Sequence, residues 1–224
     1  MPKINKIYVW SNLVRPKWTP WANTKFYLPL QWDILDHSWN NIAVTTDTLW
    51  SYRTFNTYGA VYSINWTVNW ARTEYWNNTW YTSWTVSCLV KLSEYHWNGH
   101  FFTSWLLWLA QIPWTSNKFR AEFYGSSTKS IWSTTQASLN TWYHIVAVRD
   151  SGNLYLYINW TLEATWSGMS WTSTKKLVVP WWESTSVDWC LRWWLAEVIQ
   201  EDKARTQADV TAYLNLVKNK YWIS

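Results

Sequence analysis

Residues 141–165 decide the fold, and their sequence is TWYHIVAVRDSGNLYLYINWTLEAT. Residues 142–149 alternate between two faces, and the polar run Asp-Ser-Gly-Asn at 150–153 is typical of a tight turn. Leucine and isoleucine then share one face of residues 154–158, and tyrosines share the other. A third short strand is predicted at 162–165. The stretch therefore predicts three consecutive strands joined by tight turns.

The second of these turns, Asn159-Trp160, has an unexpected residue. A two-residue hairpin loop favours positive φ at both central positions, so glycine normally follows asparagine there. A bulky side chain in the left-handed region costs roughly 1–2 kcal/mol. Tryptophan also stands among turn-forming residues, where glycine would be usual, at seven other positions: Trp39, Trp66, Trp70, Trp80, Trp114, Trp166 and Trp189.

Composition extends this pattern to the whole chain. The 224 residues include 26 Trp and 5 Gly, whereas globular proteins average about 7% Gly. We hypothesise that most of these tryptophans are glycines in the native protein, encoded by a UGA codon that the source organism reads as glycine. A Trp-rich adhesive surface or a designed, low-complexity chain would not explain why tryptophan avoids strand centres and prefers turns. Trp21 and Trp142 are expected to be genuine.

The length is typical of one large β domain or two small ones. No linker divides the chain, and all-β sandwiches often reach this size. The formal net charge of +5 is scattered, without a basic run, which disfavours nucleic acid as a partner. We expect residues 1–22 to be an N-terminal appendage and residues 23–224 to be the domain.

The cysteines and the N-terminus indicate whether to expect a disulfide, a zinc site or a signal peptide. Two buried free thiols at Cys88 and Cys190 are favoured over a disulfide, and without a CxxC pair zinc is unsupported. The opening MPKINKIYVW lacks the apolar region of a classical signal peptide. No stretch has the length of a membrane-spanning helix.

The remaining elements are short strands and one closing helix. Strands are predicted at 26–30, 42–45, 60–64, 85–92, 101–109, 118–124, 130–133 and 195–200. Residues 206–209 resemble a capping box, and Val210, Tyr213, Leu214 and Val217 follow at helical spacing. Trp222 occupies the place of a C-terminal capping glycine.

The chain resembles a known family over residues 23–224. Trp142, His144, the Asp150-x-Gly152 turn and the Leu-Tyr-Ile-Asn run at 156–159 resemble the central hairpins of laminin G-like domains, in the concanavalin A-like lectin/glucanase superfamily. Residues 195–199 and the helix after them are similar to that family's closing elements. The resemblance implies an all-β, two-sheet antiparallel jelly-roll sandwich with one C-terminal α-helix. Separately, residues 3–16 resemble the opening of phage virion proteins, which implies a tether to a larger virion assembly.

Ligand-binding candidates are few. Tyr155 and Tyr157 could form an aromatic platform, although they are better explained as residues that cover the second side of a sheet or the closing helix. Tyr95 and His96 lie in a polar-aromatic loop that could sit at the rim of the sandwich or be an ordinary hairpin.

A calcium ion is the one cofactor that the sequence suggests. Asp33 and Asp36 could supply oxygen ligands from a loop. The simpler interpretation is that these carboxylates cap their own backbone in a turn.

Catalytic candidates are weaker still. Hydrolases of the superfamily carry E-x-D-x-E or E-x-D-x-x-E runs, and none occurs in this chain. Glu197 and Glu201 share a strand face but lie about 13 Å apart by strand rise, and His144 is interpreted as a structural strand residue. An enzyme is therefore not expected.

The sequence thus predicts a non-catalytic binding module, extracellular or virion-associated, that recognises a glycan or a protein partner on a cell or virion surface. The alternative is a structural virion protein, and a polysaccharide hydrolase is the least favoured interpretation.

The recoding hypothesis predicts the mass of the native protein. Peptide mass spectrometry of material from the native source should find glycine at Trp39, Trp66, Trp160 and Trp222. Tryptophan at those positions would refute the hypothesis.

Overall fold

The computed structural model describes residues 24–28, 45–46, 62–63, 73–75, 82–93, 95, 99–104, 107–112, 116–123, 128–169, 177–179 and 193–221. These residues form two antiparallel sheets and one helix, α1 (Gln207–Tyr221). The predicted appendage, residues 1–22, lies outside this part of the chain.

Sheet A contains the stretch that decides the fold. Its strands in spatial order are β1 (Thr24–Leu28), β14 (Trp193–Glu201), β5 (Ser83–Leu92), β10 (Trp142–Asp150), β11 (Asn153–Ile158) and β12 (Thr161–Trp166), and β3 (Tyr62–Ser63) also pairs with β14. The three consecutive strands predicted from the sequence are therefore confirmed as β10, β11 and β12.

Sheet B is built from shorter strands. Its spatial order is β2 (Thr45–Thr46), β4 (Thr73–Tyr75), β13 (Leu177–Val179), β6 (Gly99–Ser104), β7 (Leu107–Ile112), β8 (Lys118–Phe123) and β9 (Lys129–Gln136). The single strand predicted at 101–109 is wrong, because β6 and β7 are two antiparallel neighbours there. The sequence analysis also missed β4 and β13.

The two sheets pack face to face around an aromatic core. Trp84 of β5 stacks on Phe123 of β8, with ring centroids 5.7 Å apart. Tyr143 of β10 meets the edge of Phe119 at 4.9 Å. Such contacts add about 0.5–1.5 kcal/mol each to the burial of the rings. The all-β jelly-roll sandwich with a C-terminal helix is thus confirmed.

Cys88 is buried in the same strand as Trp84. It is a free thiol, as predicted, and burial raises the pKa of its sulfur well above the ordinary value. Cys190 lies outside the described residues.

The capping box predicted at the start of α1 is present. The Asp209 N–H donates to Thr206 Oγ1 at 3.2 Å, and the Thr206 N–H donates to Asp209 Oδ2 at 2.9 Å. Burial alone would raise the pKa of Asp209, but the hydrogen bonds from Thr206 and the charge of Lys203 hold it below its ordinary value. The carboxylate therefore stays ionised at the helix N-terminus, where the dipole favours negative charge.

Helix α1 covers the outer face of sheet A with the four apolar residues that its periodicity predicted. Tyr213, Leu214 and Val217 join one buried cluster, and Val210 joins another. Their sheet partners are Leu89, Trp142, Ala196 and Ile199 in the first cluster and Val146, Val148 and Tyr157 in the second. Within the described residues, no helix is long and apolar enough to cross a membrane.

Tryptophan is not confined to turns. Trp84 is the second residue of β5, and Trp132 is the fourth residue of β9. The prediction that tryptophan avoids strand centres is therefore wrong for Trp132. Turn positions Trp39, Trp66, Trp70, Trp80, Trp114, Trp189 and Trp222 lie outside the described residues.

The turn at 159–160 also differs from expectation. Its left-handed residue is Asn159, with φ at 56°, and Trp160 is not among the described residues with positive φ. Asparagine tolerates this conformation because its short polar side chain can hydrogen-bond locally.

The helix–sheet contact predicts a large cost for truncating Leu89, which is fully buried in the first cluster. We expect Leu89→Ala to lower the free energy of unfolding by about 2–5 kcal/mol, because the cavity would not collapse fully. Leu216→Ala, on the exposed side of α1, should change it by less than about 0.5 kcal/mol. Urea denaturation measures both, and equal effects would contradict the assignment of the core.

Candidate functional site

The tyrosine platform predicted on β11 is not an open surface. Tyr157 is 5% exposed and packs with Val146, Val148 and Val210, and burial raises the pKa of its hydroxyl. Tyr155 is half-buried against the same cluster. Helix α1 therefore covers this face, and Tyr157 has no ring face free for a sugar.

The predicted metal and loop candidates fall largely outside the described residues. Asp33, Asp36 and His96 are not described, so the calcium site remains a prediction. In the described part of the chain, no group of three or more His, Cys, Asp and Glu side chains could hold a metal ion.

The carboxylates considered for catalysis are engaged in the structure. Glu197 and Glu201 are both buried, Tyr213 Oη donates to Glu197 Oε2, and Arg205 Nε donates to Glu201 Oε2 at 2.5 Å. Glu163, at the edge of sheet A, accepts hydrogen bonds from the Thr135 N–H at 2.9 Å and from the Thr135 hydroxyl. The Glu163 carboxylate thus joins the edges of the two sheets.

One end of the sandwich collects exposed apolar side chains. Antiparallel pairing brings the C-terminal ends of β5, β9 and β11 to the end where β10 and β12 begin, as the pairs Trp142 with Lys91 and Ile158 with Thr161 show. We call the described residues at this end the rim. It comprises residue 95, the turns at 116–117, 137–141 and 159–160, and the first two residues of β12, 161–162.

The rim holds four of the five exposed large apolar side chains among the described residues. Their exposed fractions are 40% for Tyr95, 37% for Leu139, 43% for Trp160 and 40% for Leu162. The fifth, Leu216, lies on α1. Loops at one end of a rigid scaffold often carry binding residues, so this end is the candidate interaction surface.

Four hydrogen bonds anchor the 137–141 turn. Tyr95 Oη donates to the Ala137 carbonyl at 2.8 Å, and the Ser138 N–H donates to Tyr143 Oη at 2.8 Å. The remaining two run from the Asn140 N–H to the Leu92 carbonyl at 2.6 Å and from the Ala137 N–H to the Asn117 carbonyl at 2.9 Å. Tyr95 and Leu139 are therefore held in place before any ligand arrives.

Asparagine shapes the rim. Asn117, Asn140 and Asn159 have φ of 58°, 59° and 56°. The Asn159 side-chain oxygen also accepts a hydrogen bond from the His144 backbone N–H at 3.1 Å, and the Asn159 backbone N–H donates to the His144 carbonyl at 2.7 Å. These bonds fix the hairpin that presents Trp160 and Leu162 beside the start of β10.

The chemistry of the rim suits binding. Exposed rings and leucines offer apolar surface for a sugar ring face or an apolar side chain, and the neighbouring amides can donate and accept hydrogen bonds. The sequence identified Tyr95 but missed Leu139, Trp160 and Leu162. The available signal was an apolar residue in a polar turn, as Leu139 is in the run Ser-Leu-Asn-Thr at 138–141.

Comparison with solved structures supports the fold. The chain is similar to the binding domain of botulinum neurotoxin serotype D, with a TM-score of 0.68 and 15% identity over 86% of this chain and 51% of that one. The chain is also similar to the binding domain of Paraclostridial Mosquitocidal Protein 1, with a TM-score of 0.71 and 12% identity over 88% of this chain and 53% of that one. A third similar structure is the binding domain of botulinum neurotoxin DC in complex with SialylT, with a TM-score of 0.68 and 14% identity over 86% of this chain and 51% of that one.

The chain spans about half the length of these binding domains. At this level of identity the likeness shows the fold alone. No family model and no curated protein matches the sequence.

The hydrogen bonds of the rim predict a local effect of Tyr143→Phe. Loss of the acceptor for the Ser138 N–H should lower the free energy of opening the 137–141 turn by about 0.5–1.5 kcal/mol. Hydrogen exchange at Ser138 should then accelerate several-fold, whereas Tyr155→Phe, on the opposite face of sheet A, should leave it unchanged. Unchanged exchange in Tyr143→Phe would show that this bond does not hold the turn.

Proposed function

We propose that the protein is a non-catalytic binding module whose rim recognises a glycan on a cell or virion surface. The observation that carries this proposal is the group of exposed apolar side chains on anchored loops, Tyr95, Leu139, Trp160 and Leu162. An aromatic ring can stack on the apolar face of a sugar, and loops held by hydrogen bonds lose little freedom on binding.

The structural neighbours support a binding role at the level of the fold. All three neighbours described above are binding domains, and one of them was solved in complex with SialylT. Their folds show that such sandwiches serve as parts of binding proteins. Function still depends on the site, which in this chain we assign to the rim.

The buried carboxylates favour binding over hydrolysis. Glu197 and Glu201 are buried and already hydrogen-bonded, so neither can reach a glycosidic bond. A retaining pair would need two accessible carboxyl groups about 5 Å apart.

The wider assignment is part of the same proposal. Residues 23–224 form one laminin G-like domain, residues 1–22 form a tether, and the protein acts outside the cell or on a virion. A structural virion protein is the alternative, but it depends on residues 3–16, which lie outside the described part of the chain.

We also propose that UGA recoding accounts for most of the tryptophans. Its support is compositional, with 26 Trp against 5 Gly. The rim does not depend on the identity of residue 160, because Tyr95, Leu139 and Leu162 remain exposed apolar residues under either reading.

A glycan array tests the rim directly. The protein should bind a restricted set of glycans, and Tyr95→Ala should weaken binding about tenfold, which corresponds to about 1.4 kcal/mol. Tyr95→Phe keeps the ring and should retain most of the affinity, and Leu216→Ala, which lies on α1, should retain all of it. An array without signal, together with Tyr95-dependent binding to a cell-surface protein, would favour a protein partner instead.

The same array addresses calcium. If Asp33 and Asp36 hold the ion, EDTA should abolish glycan binding, and Asp33→Asn should weaken it in the presence of calcium. Equal binding in calcium and in EDTA would exclude a calcium requirement.

A further inference from the structure

His144 is sealed between sheet A and helix α1. Its side chain is 0% exposed, and neither Nδ1 nor Nε2 has a hydrogen-bond partner among the described residues. The backbone of this residue is bonded to Asn159, and its ring lies against Tyr213 of α1 with centroids 5.0 Å apart. A buried polar group without partners destabilises the closed state, and a charged one would do so far more.

The charged groups around this ring are already paired. Arg205 lies over the Tyr213 ring at 5.1 Å and donates through Nε to Glu201. Glu197 accepts from the Tyr213 hydroxyl. Neither carboxylate is therefore bonded to His144.

Other elements contribute further titratable groups to this side of sheet A. They are Lys91 from β5, whose ammonium lies 5.4 Å from the Trp142 ring, and Tyr155 and Tyr157 from β11. Lys91 is a cation, and burial raises the pKa of the Tyr157 hydroxyl above its ordinary value, so neither supplies a negative charge at neutral pH.

Burial and the charge of Arg205 act in the same direction on His144. Burial lowers its pKa, Arg205 lowers it further, and the nearby backbone of Asn159 offsets only part of the shift, leaving a value of about 3. The imidazole is thus neutral while α1 is docked, and it would be protonated in mild acid if water reached it.

We propose that His144 makes the docking of α1 acid-sensitive, so that mild acid favours a state in which the helix lifts from sheet A and the imidazole reaches water. The proposal rests on the position of the ring under the helix and not on the proposed binding function, although Gln207 of α1 donates a hydrogen bond to the Trp160 carbonyl at the rim. It assigns a conformational response to a histidine that the binding function does not use.

The sandwich itself can survive this opening. Helix α1 lies on the outer face of sheet A, whereas the contacts between the sheets, Trp84 with Phe123 and Tyr143 with Phe119, lie on the inner face. Residues 202–206 connect the helix to β14. Two hydrogen bonds hold this connection to β5, one from the Thr85 hydroxyl to the Lys203 carbonyl at 2.7 Å and one from the Arg205 N–H to Thr85 Oγ1 at 2.9 Å.

The sign and the size of the effect follow from linkage. A histidine with a lowered folded-state pKa contributes stability above its ordinary pKa of 6.5, and this contribution is lost as the pH falls from there toward 3. We define the opening constant as the ratio of the state with α1 lifted to the state with α1 docked. As the pH falls from 7.5 to 5.0, this constant should rise about 30-fold if His144 has its ordinary pKa in the open state. Ordinary Glu carboxyls titrate near pH 4.3 and contribute less in this window.

Native-state hydrogen exchange on the full chain tests the proposal. After correction for intrinsic exchange rates, the opening constants for amides of α1 at 210–217 should rise about 30-fold between pH 7.5 and pH 5.0 in the unaltered protein. Amides in the middle of β5 and β10 should change much less. His144→Gln should abolish the pH response of the helix, and His96→Gln should retain it. Should His144→Gln fail to fold at pH 7.5, His144→Leu offers a neutral apolar replacement.

Three results would overturn the proposal. The first is an opening constant for α1 that does not change with pH, and the second is the same pH response in the unaltered protein and the His144 variant. The third is an equal loss of protection in α1, β5 and β10, which would mean that acid unfolds the whole domain rather than releasing the helix.

Discussion

Strand β10 is buried on both faces, and the rest of the structure depends on this constraint. Because side chains alternate along a strand, Tyr143 and its alternate neighbours face sheet B, whereas His144, Val146 and Val148 face α1. β5 and β11 flank β10 and share the same two environments. A shift of register by one residue would exchange the faces and place His144 in the aromatic core between the sheets.

The pairing of β10 also creates the rim. With β5 and β11 antiparallel to it, the turns at 137–141 and 159–160 must emerge at one end of the sandwich. The Tyr95 hydroxyl, as a donor, and the Tyr143 hydroxyl, as an acceptor, then hold the first turn, and Asn159 holds the second. Exposed apolar residues on these turns are thus presented by a rigid scaffold, which is the usual arrangement of binding loops.

The two faces of sheet A have different physical roles. The face toward sheet B is closed by aromatic packing, Trp84 on Phe123 and Tyr143 on Phe119. The face toward α1 combines apolar clusters with buried Glu197, Glu201, Arg205 and His144. Buried ionisable groups are costly unless they are paired, so this face is the one where a change of protonation can alter the structure. The proposed binding rim and the proposed acid-sensitive helix face are adjacent, because Gln207 of α1 donates a hydrogen bond to the Trp160 carbonyl.

The sequence by itself determined the central hairpins, the capping box and the apolar stripe of α1, because alternation, turn residues and helical spacing are local signals. It also indicated the jelly roll through the residues at 142–159. It merged β6 with β7 and missed β4 and β13, since sheet B strands are short and gain their order from neighbours rather than from a strong pattern.

Only the tertiary structure decided which face of β11 is covered, and so removed Tyr157 as a platform while leaving Tyr95 exposed. Only the tertiary structure brought Leu139 and Leu162 to the same end as Tyr95, and sealed His144 beneath Tyr213. Residues far apart in the chain meet through strand pairing and helix docking, and exposure is a property of that assembly rather than of any residue type.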